Sequence, residues 1–152
     1  MLGPQAIVDA TDPRHRLMTY ENKSIGVIIV DHGSRRAEAN LRHEDFVSAW
    51  RAHSGYQIVE PAHLEFAHPS ISASIDVCVA AGATELVILP LFLWPGAHLE
   101  RDIPALVAQT VARHPGVGYV IGPPLGQHPL LVQIVDDHVT SSVGHLDRPS
   151  QK

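Results

Sequence analysis

Three scarcities bound what this chain can be. Cysteine occurs once in 152 residues, at Cys78, so a single chain can form neither an internal disulfide nor an all-cysteine zinc or iron–sulfur site. A reducing compartment fits that usage. Lysine is confined to Lys23 and Lys152, and the formal net charge is -5. No basic stripe is left to neutralise phosphates, which argues against nucleic-acid partners. Long apolar runs are missing as well. The longest, Leu86 to Trp94, contains Pro90 and is too short to span a bilayer, so no membrane partner is expected, and the run reads as a buried strand.

What is present suits one compact domain. Hydrophobic residues make up 45% and charged residues 18%, ordinary for a folded protein, and a chain of this size buries about 70% of the surface its unfolded form exposes. Residues 1–24 include Asp9, Asp12 and Glu21 and lack an apolar h-region; they resemble neither a secretory signal nor an acid-poor transit peptide and read as a flexible leader. The cytoplasm is the expected location, with a plastid stroma as the alternative. The folded domain is expected over 25–140, followed by a polar tail over 141–152.

The apolar periodicity alternates between strand and helix. Ile25 to Val30 is a β-branched run suited to a strand covered on both faces. Leu41, Phe46, Val47 and Trp50 recur at near-helical spacing, giving a helix from about Arg36 to Ala52 that ends near Gly55. Tyr56 to Ala62 reads as the second strand. Ile71, Ile75, Cys78 and Val79 then form the stripe of a helix opening at Pro69 and closing at Gly82. Glu85 to Leu93 is the third strand, and Ile103, Leu106, Val107 and Val111 mark a helix terminated by His114-Pro115-Gly116. Val117 to Ile121 is the fourth strand, and Leu131, Ile134, Val135 and His138 complete the last helix. Repeated strand–helix units imply an α/β fold: a four-stranded, mostly parallel sheet with helices on both faces.

Two segments stand out, IIVDHGSRR and LFLWPGAHLERDIP. Each takes an apolar run into a turn and presents a histidine there, His32 and His98. Ligands of open parallel sheets bind beyond the carboxyl ends of the strands. His32 follows the first strand, Glu65 the second and His98 the third, so the three side chains are expected to converge as a site for a borderline divalent metal with coordination positions left open. His63 and His68 flank Glu65 and are further candidates. The other histidines, His15, His43, His53, His114, His138 and His145, read as solvated or helix-capping. Gly33-Ser34 offers either an anion nest or, through Ser34, a helix N-cap. Arg35 and Arg36 either pair with substrate carboxylates or are solvated. Asp102 either complements a helix dipole or orients His98.

The segments VDHGSRR, VEPAHLEFAHPSI, LPLFLWPGAHLERDIP and PPLGQHPLL, in this order and spacing, resemble the small single-domain sirohydrochlorin chelatases of the CbiX and SirB type. The likeness covers about Gly26 to Val139 and is especially close to the sirohydrochlorin ferrochelatases that complete siroheme, including the plant type. It implies a three-layer flavodoxin-like (chelatase-like) domain that pairs as a homodimer. The implied activity is ATP-independent insertion of a divalent metal, Fe²⁺ ahead of Co²⁺, into sirohydrochlorin, in siroheme synthesis or the cobalamin route. The metal is then a substrate, with no permanently bound cofactor. Matched residue by residue, the family's active-site histidines fall on His32 and His98, and its acidic partner on Glu65. Many relatives carry a basic residue before the second histidine and an aromatic after it, where this chain has Ala97 and Leu99. The plant type ends in a cysteine-containing segment for an iron–sulfur cluster. The tail here, HLDRPSQK, has no cysteine, so no cluster is expected.

On that reading, His32 and His98 hold the incoming ion and accept the pyrrole protons, since a neutral imidazole does both, while Glu65 stabilises cationic intermediates. The macrocycle is expected flat above the strand ends against Leu93, Trp94, Pro95 and Gly96, with Leu125 nearby, its peripheral carboxylates toward Ser34, Arg35 and Arg36. Two rival readings fit the same residues: a non-catalytic cobalt, nickel or iron carrier with the same ligands, and a hydrolase or phosphoryl-transfer enzyme using Ser34 beside His32.

Overall fold

The computed structural model describes residues 24–144. Four strands, β1 (Ile25–Asp31), β2 (Ile58–His63), β3 (Glu85–Pro90) and β4 (Gly118–Ile121), form one sheet in the order β2-β1-β3-β4. Every pairing is parallel, with Val27 opposite Val59 and Val87, and Val87 opposite Val120. The helices are α1 (Ala37–Ser54), α2 (Ile71–Ala80), α3 (Ile103–Val111) and α4 (Leu130–Val143). A π-helical turn, His98–Asp102, leads into α3, and a 3₁₀ turn, Leu125–Gln127, precedes α4.

The continuous β-branched run of β1 is explained by its place. It is a central strand, buried on both faces. Ile28 and Val30 enter one core with Ile75, Cys78, Ile88, Ile103 and Val107, under α2 and α3. Val27 and Ile29 enter a second core with Val47 of α1 and Val59. Each fully buried aliphatic side chain stabilises by about 1.5–3 kcal/mol. Gly26 lets α2 approach closely, because a Cβ there would stand 3.0 Å from those of Ala83 and Cys78. Pro61 is tolerated in β2 because that strand lies at the sheet edge.

Several sequence expectations need correction. The third strand stops at Pro90, not Leu93: beyond it Leu91 N–H still donates to Val30 O, but the carbonyls of Phe92 and Leu93 accept from Leu125 and Gly126 instead of a neighbouring strand. The second strand starts at Ile58 and runs through His63. On α1, Leu41 and Phe46 are exposed, and the inward residues are His43 and Val47. Helix α2 is capped by Ser70, whose hydroxyl accepts from Ala73 N–H, so Pro69 lies before the helix rather than inside it. Helix α4 runs through Val143, into the segment expected as tail; its Ser142 hydroxyl donates to His138 O and Gly144 N–H to Thr140 O. Among the described residues it also buries none, and these residues leave one flank of the sheet without the expected cover: Val120 of β4 and Val132, Val135 and Val139 of α4 are all exposed. The leader up to residue 23 and the tail from 145, with His15 and His145, lie outside the described residues.

Candidate active site

Strand order places the site. From β1 the chain steps outward to β2 on one side, and on the other side lie β3 and β4, so the carboxyl ends of β1 and β3 flank the point where connections diverge, the usual place for a ligand in such sheets. His32 follows β1 directly. His98 opens the π-helical turn after β3, so it sits on a helical turn continuous with α3 rather than on a loop. The two rings meet edge to face, centroids 5.5 Å apart at 78°.

Each imidazole is held differently. His32 stacks on Phe92, with centroids 4.0 Å apart and planes within 11°; Phe92 is itself buried in the core. That contact fixes the ring plane and leaves both ring nitrogens without a hydrogen bond among the described residues. His98 Nδ1 lies 2.9 Å from Asp102 Oδ2. Since a carboxylate only accepts, Nδ1 carries the proton and Nε2 keeps its lone pair free for a metal. Of the two roles open to Asp102, the structure therefore supports orienting His98. Its carboxyl is held below the usual range, first by the hydrogen bond from Arg101 and then by that from His98, against a raising contribution from desolvation.

The turns after β1 and β2 are laced together. Leu64 N–H donates to Asp31 O and Glu65 N–H to His32 O, each at 3.0 Å, so the ladder continues past both strands. Gly33 has φ +77, and a Cβ there would overlap Glu65 O, which only glycine avoids. Glu65 is thus tied to the His32 turn through its backbone, with its side chain exposed. The carboxylate does not close a three-donor set with the histidines: among the described residues, the one group of three whose ligand atoms lie within 4.8 Å of one another is Asp31, His43 and His63.

The surrounding candidates divide. Leu93 and Trp94 are 52% and 65% exposed, so Trp94 is a surface residue and not core. Pro95, Gly96 and Ala97 are exposed beside them, while Leu99 packs into the core. Gly126 comes so close to Leu93 O and the Trp94 ring that a Cβ would stand 2.7 Å from Trp94 Cε3, which braces the indole. Ser34 does not cap α1, whose N-cap is Arg36 without a side-chain bond. Its hydroxyl accepts from Arg36 N–H, its N–H donates to Asn40 Oδ1, and Gly33 N–H donates to Asp31 Oδ1. Both amides of the expected anion nest are therefore engaged. Arg35 lies over Phe66, 4.9 Å from its ring centre, and Arg36 is exposed. His53, His68 and His138 are exposed, and His114 bonds Asp76 at 2.6 Å.

Three residues around the site were given no functional role from the sequence. Phe92 gives no signal beyond being apolar. Asp31 accepts from Gly33 N–H and from His63 Nδ1, at 2.9 and 2.6 Å, and so shapes the turn that carries His32. His43, expected to be solvated or helix-capping, is 5% exposed and its Nε2 donates to Ile29 O. Its spacing of four from Val47 and seven from Trp50 was the available sign, since i, i+4 and i+7 share a helix face.

Comparison with known proteins bears on the family and the fold. The family model described as CbiX matches residues 26–142. The chloroplastic sirohydrochlorin ferrochelatase of Arabidopsis thaliana is 47% identical over 122 residues, covering 80% of this chain and 54% of that protein. The sirohydrochlorin cobaltochelatase of Priestia megaterium is 36% identical over 126 residues, covering 82% of this chain and 40% of that protein. The crystal structure of the sirohydrochlorin chelatase SirB from Bacillus subtilis subspecies spizizenii in complex with cobalt superposes with TM-score 0.73 at 30% identity, covering 78% of this chain and 50% of that one. This chain thus spans about half the length of the curated relatives it matches. With a family model matching residues 26–142 and a solved relative sharing the fold, this chain belongs to the CbiX family.

Proposed function

We propose that this protein inserts a divalent metal, Fe²⁺ ahead of Co²⁺, into sirohydrochlorin, with His32 and His98 as the residues that hold the ion and take up the pyrrole protons. The observation that carries this is the edge-to-face pair at the ends of β1 and β3, with His98 Nδ1 tied to Asp102 and Nε2 left as a ligand. Two imidazoles with open coordination positions bind the ion loosely enough for transfer to four ring nitrogens to remain downhill. Glu65, tied to the His32 turn, is the acidic partner, brought to the ion by rotation of its exposed side chain, and it stabilises the positive charge that builds as metal and protons share the site. Support for the substrate comes from relatives named sirohydrochlorin ferrochelatase and cobaltochelatase. The exposed Leu93 and Trp94 offer the macrocycle an apolar plane, with Pro95 and Gly96 at its edge and Ser34, Arg35 and Arg36 toward its carboxylates.

Pairing with a second copy belongs to the same reading. It is supported by the apolar surface left open on α4 and β4 and by relatives about twice as long. The test is anaerobic incubation with sirohydrochlorin and each of Fe²⁺, Co²⁺ and Ni²⁺, followed by visible spectroscopy. Metallation spectra appearing faster than without protein support the reading. A carrier would take up the ion and leave the tetrapyrrole spectrum at its uncatalysed rate.

A further inference from the structure

Behind the His32 turn lies a polar cluster that the proposed reaction does not use. Asp31, His43 and His63 come from β1, α1 and β2, and one ligand atom from each lies within 4.8 Å of the other two. The histidine side chains are 2% and 0% exposed, whereas Asp31 is 24% exposed, which leaves a way in from solvent. Glu44, 38% exposed, stands on the same side, its Oε1 3.7 Å from His63 Nε2.

The hydrogen bonds of this cluster do not close. His43 Nε2 sits 3.0 Å from Ile29 O, and a carbonyl only accepts, so Nε2 carries the proton. The neutral ring then turns the lone pair of Nδ1 toward Asp31 Oδ2, 3.9 Å away, acceptor against acceptor. His63 repeats the mismatch: Nδ1 donates to Asp31 Oδ1 at 2.6 Å, which leaves Nε2 as a lone pair facing the Glu44 carboxylate. Among the described residues, His43 Nδ1 and His63 Nε2 are both buried without a partner, so each keeps an uncompensated desolvation cost.

A cation between the three residues removes both faults together. We propose that Asp31, His43 and His63 form a divalent-metal site separate from the His32–His98 pair, with a carboxylate oxygen of Asp31 and the Nδ1 atoms of His43 and His63 as ligands. On binding, the His63 proton moves from Nδ1 to Nε2 and is donated to Glu44, while His43 Nε2–H stays on Ile29 O. His63 thereby gains, and His43 keeps, the outer hydrogen bond that metal-bound imidazoles almost always make. Two imidazoles and a carboxylate favour Zn²⁺, Co²⁺, Ni²⁺ or Fe²⁺ over Mg²⁺ or Ca²⁺. The ion sits behind the turn whose shape Asp31 sets through Gly33 N–H, so it stiffens the support of His32.

The test is made in a chain carrying His32→Ala and His98→Ala, so that its outcome is separate from that of the metallation assay. After stripping with a chelator, this variant is titrated with Co²⁺ and followed by equilibrium dialysis and by the visible absorption of the bound ion. One Co²⁺ per chain is expected, and adding His43→Leu should weaken binding at least tenfold. Should the leucine variant fail to fold, ¹⁵N spectra of the imidazoles in the double variant decide: Zn²⁺ should move the His63 proton from Nδ1 to Nε2 and shift His43 Nδ1. No bound Co²⁺, binding undiminished by His43→Leu, or unchanged ring spectra with Zn²⁺ would overturn the proposal.

Discussion

His32 lies flat on Phe92, the two ring planes within 11° and their centres 4.0 Å apart. A face-to-face contact fixes the plane of an imidazole without occupying either nitrogen, so orientation and ligand capacity are supplied by different atoms. Replacing Phe92 with Leu keeps most of the buried volume and removes the flat support. Metallation should fall about tenfold or more, because misplacement by ~1 Å can cost ~100-fold, while stability should drop by less than about 2 kcal/mol. Steady-state rates beside a thermal melt check it: a rate unchanged within twofold would show that the stack does not matter.

His98 depends on a different device. Asp102 accepts from Nδ1 and so selects the tautomer that leaves Nε2 free. Asp102→Ala should lower metallation about 10- to 100-fold. The folded state should barely change, since the pair is partly exposed. Rates for Asp102→Ala and for His98→Ala, measured with far-UV circular dichroism, separate orientation from ligation. An alanine at 102 as active as the parent would reduce this aspartate to a helix-end charge.

Gly33 is where two turns touch. With φ +77 and Glu65 O against the missing Cβ, Gly33→Ala adds a left-handed backbone penalty of about 1–2 kcal/mol to a direct overlap. It should destabilise by more than ~2 kcal/mol and separate His32 from Glu65, abolishing metallation even where the chain still folds. Urea unfolding and the metallation assay report the two effects independently.

What the sequence could reveal follows from how local each signal is. The run Ile25 to Val30 identifies a strand covered on both faces because burial on both sides needs apolar residues without alternation, and β1 is that strand. The histidines at equivalent strand ends were legible for a related reason: parallel connections return every strand in one direction, so residues after β1 and β3 must share an edge. Phe92 was not legible, since stacking on His32 depends on how two turns approach in space. Nor was the open flank, because the apolar period of α4 specifies a helix face and not what lies against it. The Asp31–His43–His63 cluster joins residues as many as 32 positions apart; its only local trace was the inward place of His43 on α1. Ser34 misled because Ser before a helix usually caps it, whereas here Asn40 reaches back to it.

Cys78 is buried in the core under α2, and its thiol is pushed up to about 12, first by burial and then by the negative charge of Glu60. A reactive thiolate is therefore absent from the folded state at neutral pH. The native protein should react with an aromatic disulfide reagent only as fast as it unfolds, and denaturant should release one thiol per chain. The sign with pH follows. The folded thiol keeps its proton where the unfolded one, near 9.0, loses it. Stability should therefore fall as pH rises above about 9 toward 12, and Cys78→Ala should flatten that part of the curve. Thiol release without denaturant would contradict the burial.

The open face of α4 gives the last prediction. Val132, Val135 and Val139 follow at spacings of three and four, which places them on one side of the helix, and they are 69%, 53% and 56% exposed. Contiguous apolar surface of this kind on a folded chain marks an interaction site; a second copy presents the same stripe and is self-complementary about a twofold axis. Sedimentation should show a dimer for the parent chain. Val135→Asp, which sets two like charges near that axis and desolvates both, should shift it to monomer, with a dissociation constant raised at least ~100-fold. Because α4 has no buried residue among the described residues, the monomer should keep its fold by circular dichroism. A parent chain that sediments as a monomer at micromolar concentration would rule out self-pairing through this helix.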